Sequence, residues 1–156
     1  MVRLLGLAAL LAVCFNGFAL AGDTPSRPGA RVYFINLQDG DVVTGPVFIQ
    51  FGLSGMGVAP AGTEREFTGH HHLLINTTLR PRDHNRALPS NASAGNVRQL
   101  LSGLLKSAHV HFGGGQTEVN LDLPPGEYTL QLVFADWTHV PHNPPLQSDV
   151  IRVTVE

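Results

Sequence analysis

The sequence predicts an all-β protein: a single immunoglobulin-like antiparallel β-sandwich with one short helix in a long loop, preceded by a signal peptide. Three observations support this prediction. Apolar and polar residues alternate in short runs that Gly and Pro turns separate, a helical pattern occurs in only one place, and the first residues have the composition of an export signal. Six or seven short strands of this kind are typical of a sandwich, with a β-barrel as the alternative.

The N-terminal segment has the three parts of a cleavable signal peptide. Arg3 supplies a positive charge, residues 4–13 are apolar but short for a bilayer span, and Ala19 and Ala21 have the spacing that a signal peptidase reads. We predict a signal peptide at 1–21, and hence a periplasmic or secreted protein without membrane contact after cleavage. A retained N-terminal anchor is the alternative.

The rest of the chain fits one domain, with a flexible leader at 22–30 and the sandwich at 31–156. Cys14 is the only cysteine and lies in the predicted signal peptide, so the mature domain would have neither a disulfide nor a thiolate ligand. Removal of Arg3 leaves nine basic and twelve acidic side chains, a formal net charge of -3. This balance provides no basic surface for nucleic acid.

The strand pattern runs through the chain with one interruption. The predicted strands are 31–37, 46–53, 69–76, 119–123, 128–134 and 151–155. The segment from Thr77 to Ser107 is too long for a hairpin loop. Within it, Asn96 to Lys106 spaces Val and Leu at helical intervals and predicts a short amphipathic helix over the sandwich. The glycine run that begins at Gly113 predicts a tight turn, because no phosphate-loop pattern accompanies it.

Histidine is the unusual residue of this sequence, since seven of the eight fall into three groups near strand ends. These groups are His70-His71-His72, His109 with His111, and His139 with His142. Residues two apart on a strand share a face, so His109 and His111 project together, as do His70 and His72, while His71 faces the core. Neutral imidazole suits zinc and copper, and the lack of cysteine removes the softer ligand.

These seven histidines are the predicted metal ligands, and five of them are favoured: His72, His109, His111, His139 and His142. Asp136 and Glu118 are predicted to fix the orientation of the imidazole rings through hydrogen bonds. Two alternatives stay open. The histidines could be structural in an accessory or adhesion module that uses a surface near Trp137, or the metal could serve an enzyme with Glu118 or Glu127 as acid or base.

Three strings of the sequence, GHHHLLIN, HVHFGGGQTE and LPPGEYTLQLVFADWTHVPHNPP, resemble DUF4399, a bacterial family of uncharacterised domains. The resemblance covers most of residues 32–155 and implies a small exported protein without an assigned activity. Family members commonly read DHNHVPH where Asp136, Trp137 and Thr138 precede His139 here, so one imidazole of the pattern is missing. The loop before His109 is also longer and more helical than the family pattern.

The composition, the motifs and the resemblance together indicate a periplasmic domain that binds copper or zinc. We expect it to carry or buffer the ion without catalysing a reaction. The expected partners are the metal ion and, as a further candidate, another exported protein.

Overall fold

The computed structural model of the protein describes residues 24–84, 86–103 and 106–156. The predicted signal peptide at 1–21 lies outside the described residues. The described chain forms two β-sheets that share one apolar core, so the predicted β-sandwich is confirmed.

The described residues form ten strands and two short helical segments. The strands are β1 (Arg31–Phe34), β2 (Asp41–Val43), β3 (Val47–Ser54), β4 (Gly57–Val58), β5 (Thr68–Ile75), β6 (Ala108–His111), β7 (Glu118–Leu121), β8 (Gly126–Ala135), β9 (Pro141–Gln147) and β10 (Ile151–Val155). A 3-10 turn at Pro81–Asp83 and the helix α1 at Val97–Ser102 lie in the long connection between β5 and β6.

The two sheets differ in size. The small sheet has the strand order β1-β3-β7. The large sheet has the order β2-β10-β8-β5-β4, with β6 also paired to β5 and β9 also paired to β8. Most pairings are antiparallel, as predicted, but β2 pairs with β10 and β4 pairs with β5 in parallel.

The large sheet is covered on both faces. Its inner face packs on the small sheet through buried side chains that include Ile49, Phe51, Leu73, Ile75, Leu130 and Leu132. On its outer face, Leu74 and Val133 form a second apolar cluster with Leu79 and Leu88 from the connection between β5 and β6. Because β5 is buried on both faces, its sequence lacks the polar–apolar alternation of a half-exposed strand.

The helix α1 confirms the predicted helical segment, but it is shorter than the expected span of Asn96 to Lys106. Val97 and Leu101 are buried and belong to the main core. The backbone of Gly103 is no longer helical, which ends the helix before residue 104. No helix among the described residues has the length and apolar character needed to cross a membrane.

The described part of the predicted leader is bonded to the sandwich. The Asn143 amide donates to the Thr24 carbonyl at 2.9 Å, and the Ser26 amide donates to the Asn143 carbonyl at 3.0 Å. The Ser26 hydroxyl also donates to the Pro144 carbonyl at 2.8 Å. Residues 24–26 therefore run along β9.

Candidate metal centre

Two neighbouring strands and one turn bring five imidazoles together on the outer face of the large sheet. β5 and β6 are antiparallel, with His72 opposite His111 and Leu74 opposite His109. Side chains two residues apart share a face, so each strand presents two imidazoles there. The turn between β8 and β9 adds one more. We call these five residues the histidine cluster: His70, His72, His109, His111 and His139.

Three members of the cluster have the spacing expected of ligands to one ion. Their ring centroids are 4.6 Å apart for His111 and His139, 4.9 Å for His70 and His111, and 5.0 Å for His70 and His139. Their candidate ligand nitrogens all lie within 4.8 Å of one another. His70 is buried, whereas His111 and His139 are partly exposed, so solvent reaches one side of the group. We call these three residues the histidine triad.

The other two members form a chain of hydrogen bonds with His70. The distance from His72 Nδ1 to His109 Nε2 is 2.9 Å, and that from His72 Nε2 to His70 Nε2 is 3.0 Å. Two buried nitrogens of the triad, His70 Nδ1 and His111 Nε2, have no hydrogen-bond partner. Unpaired buried polar atoms are uncommon and costly, so these two nitrogens require an explanation.

Burial and mutual repulsion favour the uncharged rings of His70, His72, His109 and His111 by lowering their pKa values. Burial, together with the neighbouring imidazoles of His111 and His139, lowers the pKa of His70 to about 4. Burial likewise lowers the pKa of His109 to about 4 and holds that of His72 well below its usual value. The lone pairs of these four rings are therefore available to a metal ion at neutral pH.

His71 faces the opposite side of the same strand. Its ring lies in the core between Phe51, at 5.2 Å between centroids, and Phe134, at 5.1 Å. Burial lowers the pKa of His71 to about 4, against a smaller opposite effect of the Gln116 backbone. Neither ring nitrogen makes a hydrogen bond of good geometry. His71 is thus separated from the histidine cluster by the sheet.

His142 also lies outside the cluster. It is buried on β9, and its ring stacks on Phe134 with 5.7 Å between centroids. Burial lowers the pKa of His142, and neither ring nitrogen has a hydrogen-bond partner of good geometry. A small surface cavity beside it is lined by Thr24 and Trp137, among others. The structure therefore brings together five of the seven histidines predicted as ligands.

Asp136 fixes the turn that carries His139. Its Oδ1 accepts hydrogen bonds from the Thr138 amide at 2.8 Å, the Thr138 hydroxyl at 2.7 Å and the Val140 amide at 3.0 Å, and its Oδ2 accepts one from the Thr24 hydroxyl at 3.0 Å. The turn places His139 at a φ of 71°, which non-glycine residues rarely adopt. The buried Asp136 side chain thus fixes the backbone of the turn that carries His139.

Glu118, the other predicted orienting acid, is exposed on β7 in the small sheet. Its Oε2 accepts a long hydrogen bond of 3.5 Å from Gln50 Nε2. Glu127 is exposed near the start of β8, where it borders a surface groove with Arg152. Neither glutamate lies among the residues of the histidine cluster.

Two residues near the cluster have roles that the sequence did not reveal. The Asn91 Oδ1 accepts a hydrogen bond from the His109 amide at 2.7 Å, which ties the long connection to β6. Gly113 lies against His111, because a Cβ atom at Gly113 would stand 2.3 Å from His111 Cε1. A glycine close behind a strand can indicate such a close approach, but Asn91 has no comparable sequence signature.

The fold and the cluster together define a class of protein, the β-sandwich domain with a histidine-rich site on one sheet face. The family model for the domain of unknown function DUF4399 matches residues 49–156. The chain belongs to this family, which confirms the resemblance seen in the sequence. All seven histidines of the three groups fall within the matched region. No curated protein and no solved structure matches the chain.

Proposed function

We propose that this protein is an exported domain that binds one copper or zinc ion at the histidine triad and carries or buffers that ion. The observation on which the proposal rests is the convergence of three imidazoles with two buried, unpaired nitrogens, His70 Nδ1 and His111 Nε2. A bound metal would satisfy both nitrogens. Ligand nitrogens around a tetrahedral zinc stand about 3.3 Å apart, so modest ring rotations from the present spacing would suffice.

The donor set favours copper or zinc over other ions. Three imidazoles without a carboxylate or a thiolate suit borderline metals, whereas calcium and magnesium prefer oxygen ligands. The partial exposure of His111 and His139 gives an ion a short path from solvent. The sequence features of the N-terminal segment support a periplasmic location.

The positions of the acidic residues favour carriage over catalysis. A hydrolytic metal centre needs an acid or base within reach of the metal-bound water. The two glutamates that the sequence offers for this role, Glu118 and Glu127, are exposed at other positions of the sandwich. The buried carboxylate of Asp136 is engaged in fixing its turn.

Metal titration of the protein, produced without an added histidine tag and stripped with a chelator, tests the proposal. Copper(I), copper(II) and zinc are added separately while binding and melting temperature are measured. We expect one ion per chain with micromolar or tighter affinity, and a melting temperature that rises with metal because the ion binds only the folded state. His111→Phe and His139→Phe should each lower the affinity at least roughly tenfold.

Two matched variants serve as controls. His142→Phe removes a buried imidazole outside the cluster, and His84→Ala removes the histidine that stands apart from the three groups. Both should bind the ion with unchanged affinity. The proposal is wrong if the wild type binds no ion, or if the variants at His111 and His139 bind as tightly as the wild type.

A further inference from the structure

We infer that His72 and His109 are not metal ligands but the outer links of an ordered hydrogen-bond chain that holds His70 with its Nδ1 directed to the metal. The inference rests on the proposed metal site and specifies how this site is built. It differs from the sequence prediction, in which His72 and His109 are themselves ligands.

The geometry of His72 is the starting point. Both of its ring nitrogens are already within 3.0 Å of another imidazole nitrogen, Nδ1 to His109 and Nε2 to His70. These are normal hydrogen-bond distances, and each contact needs one N–H donor and one bare nitrogen as acceptor. A neutral imidazole has one of each. His72 is fully buried, so it has no solvent to replace either partner.

The unpaired nitrogens decide which end of His70 is free for an ion. His70 Nε2 is occupied by His72, whereas His70 Nδ1 is buried without a partner. The ligand nitrogens that lie within 4.8 Å of one another belong to the triad, of which His72 and His109 are not members. The ion would therefore take His70 Nδ1 and leave the contact with His72 intact.

Coordination at one end then fixes every proton along the chain. An imidazole that gives Nδ1 to a metal carries its proton on Nε2, so His70 donates to His72 Nε2. His72 must then carry its proton on Nδ1 and donate to His109 Nε2. His109 in turn carries its proton on Nδ1. Without the ion, the same contacts are satisfied equally well in the reverse order.

The outer end of the chain meets solvent. His109 is 7% exposed and borders a surface groove formed by the connection between β5 and β6, with Leu79, Arg80 and Asn91 among its lining residues. Water in this groove can accept the hydrogen bond from His109 Nδ1. The chain thus runs from the buried ligand to the surface and ends with no unpaired donor.

Nuclear magnetic resonance of nitrogen-15-labelled protein loaded with zinc, or with copper(I) if that ion binds more tightly, tests the chain directly. Both ions are diamagnetic, and correlations between ring carbon-bound protons and ring nitrogens identify each tautomer. We expect the proton on Nε2 of His70 and on Nδ1 of both His72 and His109. A metal-shifted nitrogen in the His72 or His109 ring, or the proton of His72 on Nε2, would overturn the inference.

Variants provide a second readout. His72→Phe removes both contacts of the central link, and we expect the affinity to fall roughly 10- to 100-fold with one ion still bound, as for other orienting partners of metal-bound histidine. His109→Phe should leave the proton of His70 on Nε2 and have a smaller effect. His142→Phe is the control and should change neither measurement. Unchanged affinity in His72→Phe overturns the inference, whereas failure of the wild type to bind any ion overturns the proposed function and the inference with it.

Discussion

Three consecutive histidines on β5 occupy two different environments because successive side chains on a strand point to opposite faces. His70 and His72 contact other imidazoles on the outer face, whereas His71 contacts two phenylalanine rings in the core. This difference follows from position along the strand alone. The same residue type therefore has a candidate role in metal binding at two positions and a packing role at the one between them.

The packing role of His71 leads to a prediction about stability. Its two nitrogens are buried without a good hydrogen-bond partner, and an unsatisfied buried polar group lowers the free energy of unfolding by roughly 1–3 kcal/mol. His71→Phe places an apolar ring against Phe51 and Phe134 and should leave the free energy of unfolding unchanged or raise it by about 1 kcal/mol. Urea unfolding of the metal-free proteins measures this effect.

The binding affinity of this variant is the matched control. Since His71 is separated from the histidine cluster by the sheet, His71→Phe should bind the ion as tightly as the wild type. If His71→Phe instead lowers the free energy of unfolding by more than about 2 kcal/mol, the His71 ring makes a hydrogen bond that offsets its burial.

At the scale of elements, the turn between β6 and β7 makes room for a ligand. A Cβ atom at Gly113 would stand 2.6 Å from His111 Nε2, so the imidazole would have to move. Gly113→Ala should therefore lower the metal affinity at least roughly tenfold, which isothermal titration calorimetry measures. At Gly114, a Cβ would meet only the exposed Gln116 side chain, at 3.0 Å or more. Gly114→Ala is thus the matched control, and equal affinities in the two variants would contradict a role of Gly113 in placing His111.

The sequence predicted six of the ten described strands and did not predict β2, β4, β6 or β9. The two-residue spacing of the histidines did predict that His70 and His72 share a face, as do His109 and His111, and the structure has both pairs on one face of the large sheet. β9 was not predicted, because its sequence PHNPPLQ contains three prolines and reads as a loop. In the structure it pairs with β8 along the edge, which carries His142 onto Phe134 and away from His139. Local spacing alone could not separate these two histidines, since His139 lies in the turn held by Asp136 and His142 lies on β9.

At the scale of the whole molecule, the described sandwich has no disulfide bond, because residues 24–156 contain no cysteine. Its apolar core includes the inner faces of both sheets and α1. Several buried neutral imidazoles occupy the large sheet next to this core. The stability of the domain is therefore coupled to the protonation of its histidines, and the coupling has a definite sign.

The metal-free protein should lose stability as the pH falls from 6.5 to about 4. The pKa values of His70, His71 and His109 are lowered to about 4 in the folded state from 6.5, mainly because burial disfavours the charged ring. Above pH 6.5 neither state is protonated at these groups and the full stability is present. Between pH 6.5 and about 4, the unfolded chain binds protons at these histidines that the folded chain does not, so acidification favours unfolding.

The size of the effect makes it measurable. For His71 alone, the lowering of the pKa from 6.5 to about 4 corresponds to a loss on the order of 3 kcal/mol in the free energy of unfolding near pH 4. A typical domain is stabilised by roughly 5–15 kcal/mol, so this loss is a large part of the total. Urea unfolding at a series of pH values, followed by the fluorescence of Trp137, gives the slope of the unfolding free energy against pH. We expect the free energy of unfolding of the wild type to rise steeply with pH. In His71→Phe the slope should be smaller by the amount that corresponds to about one proton taken up on unfolding. A flat profile across this window would mean that the buried imidazoles accept protons without disturbing the fold.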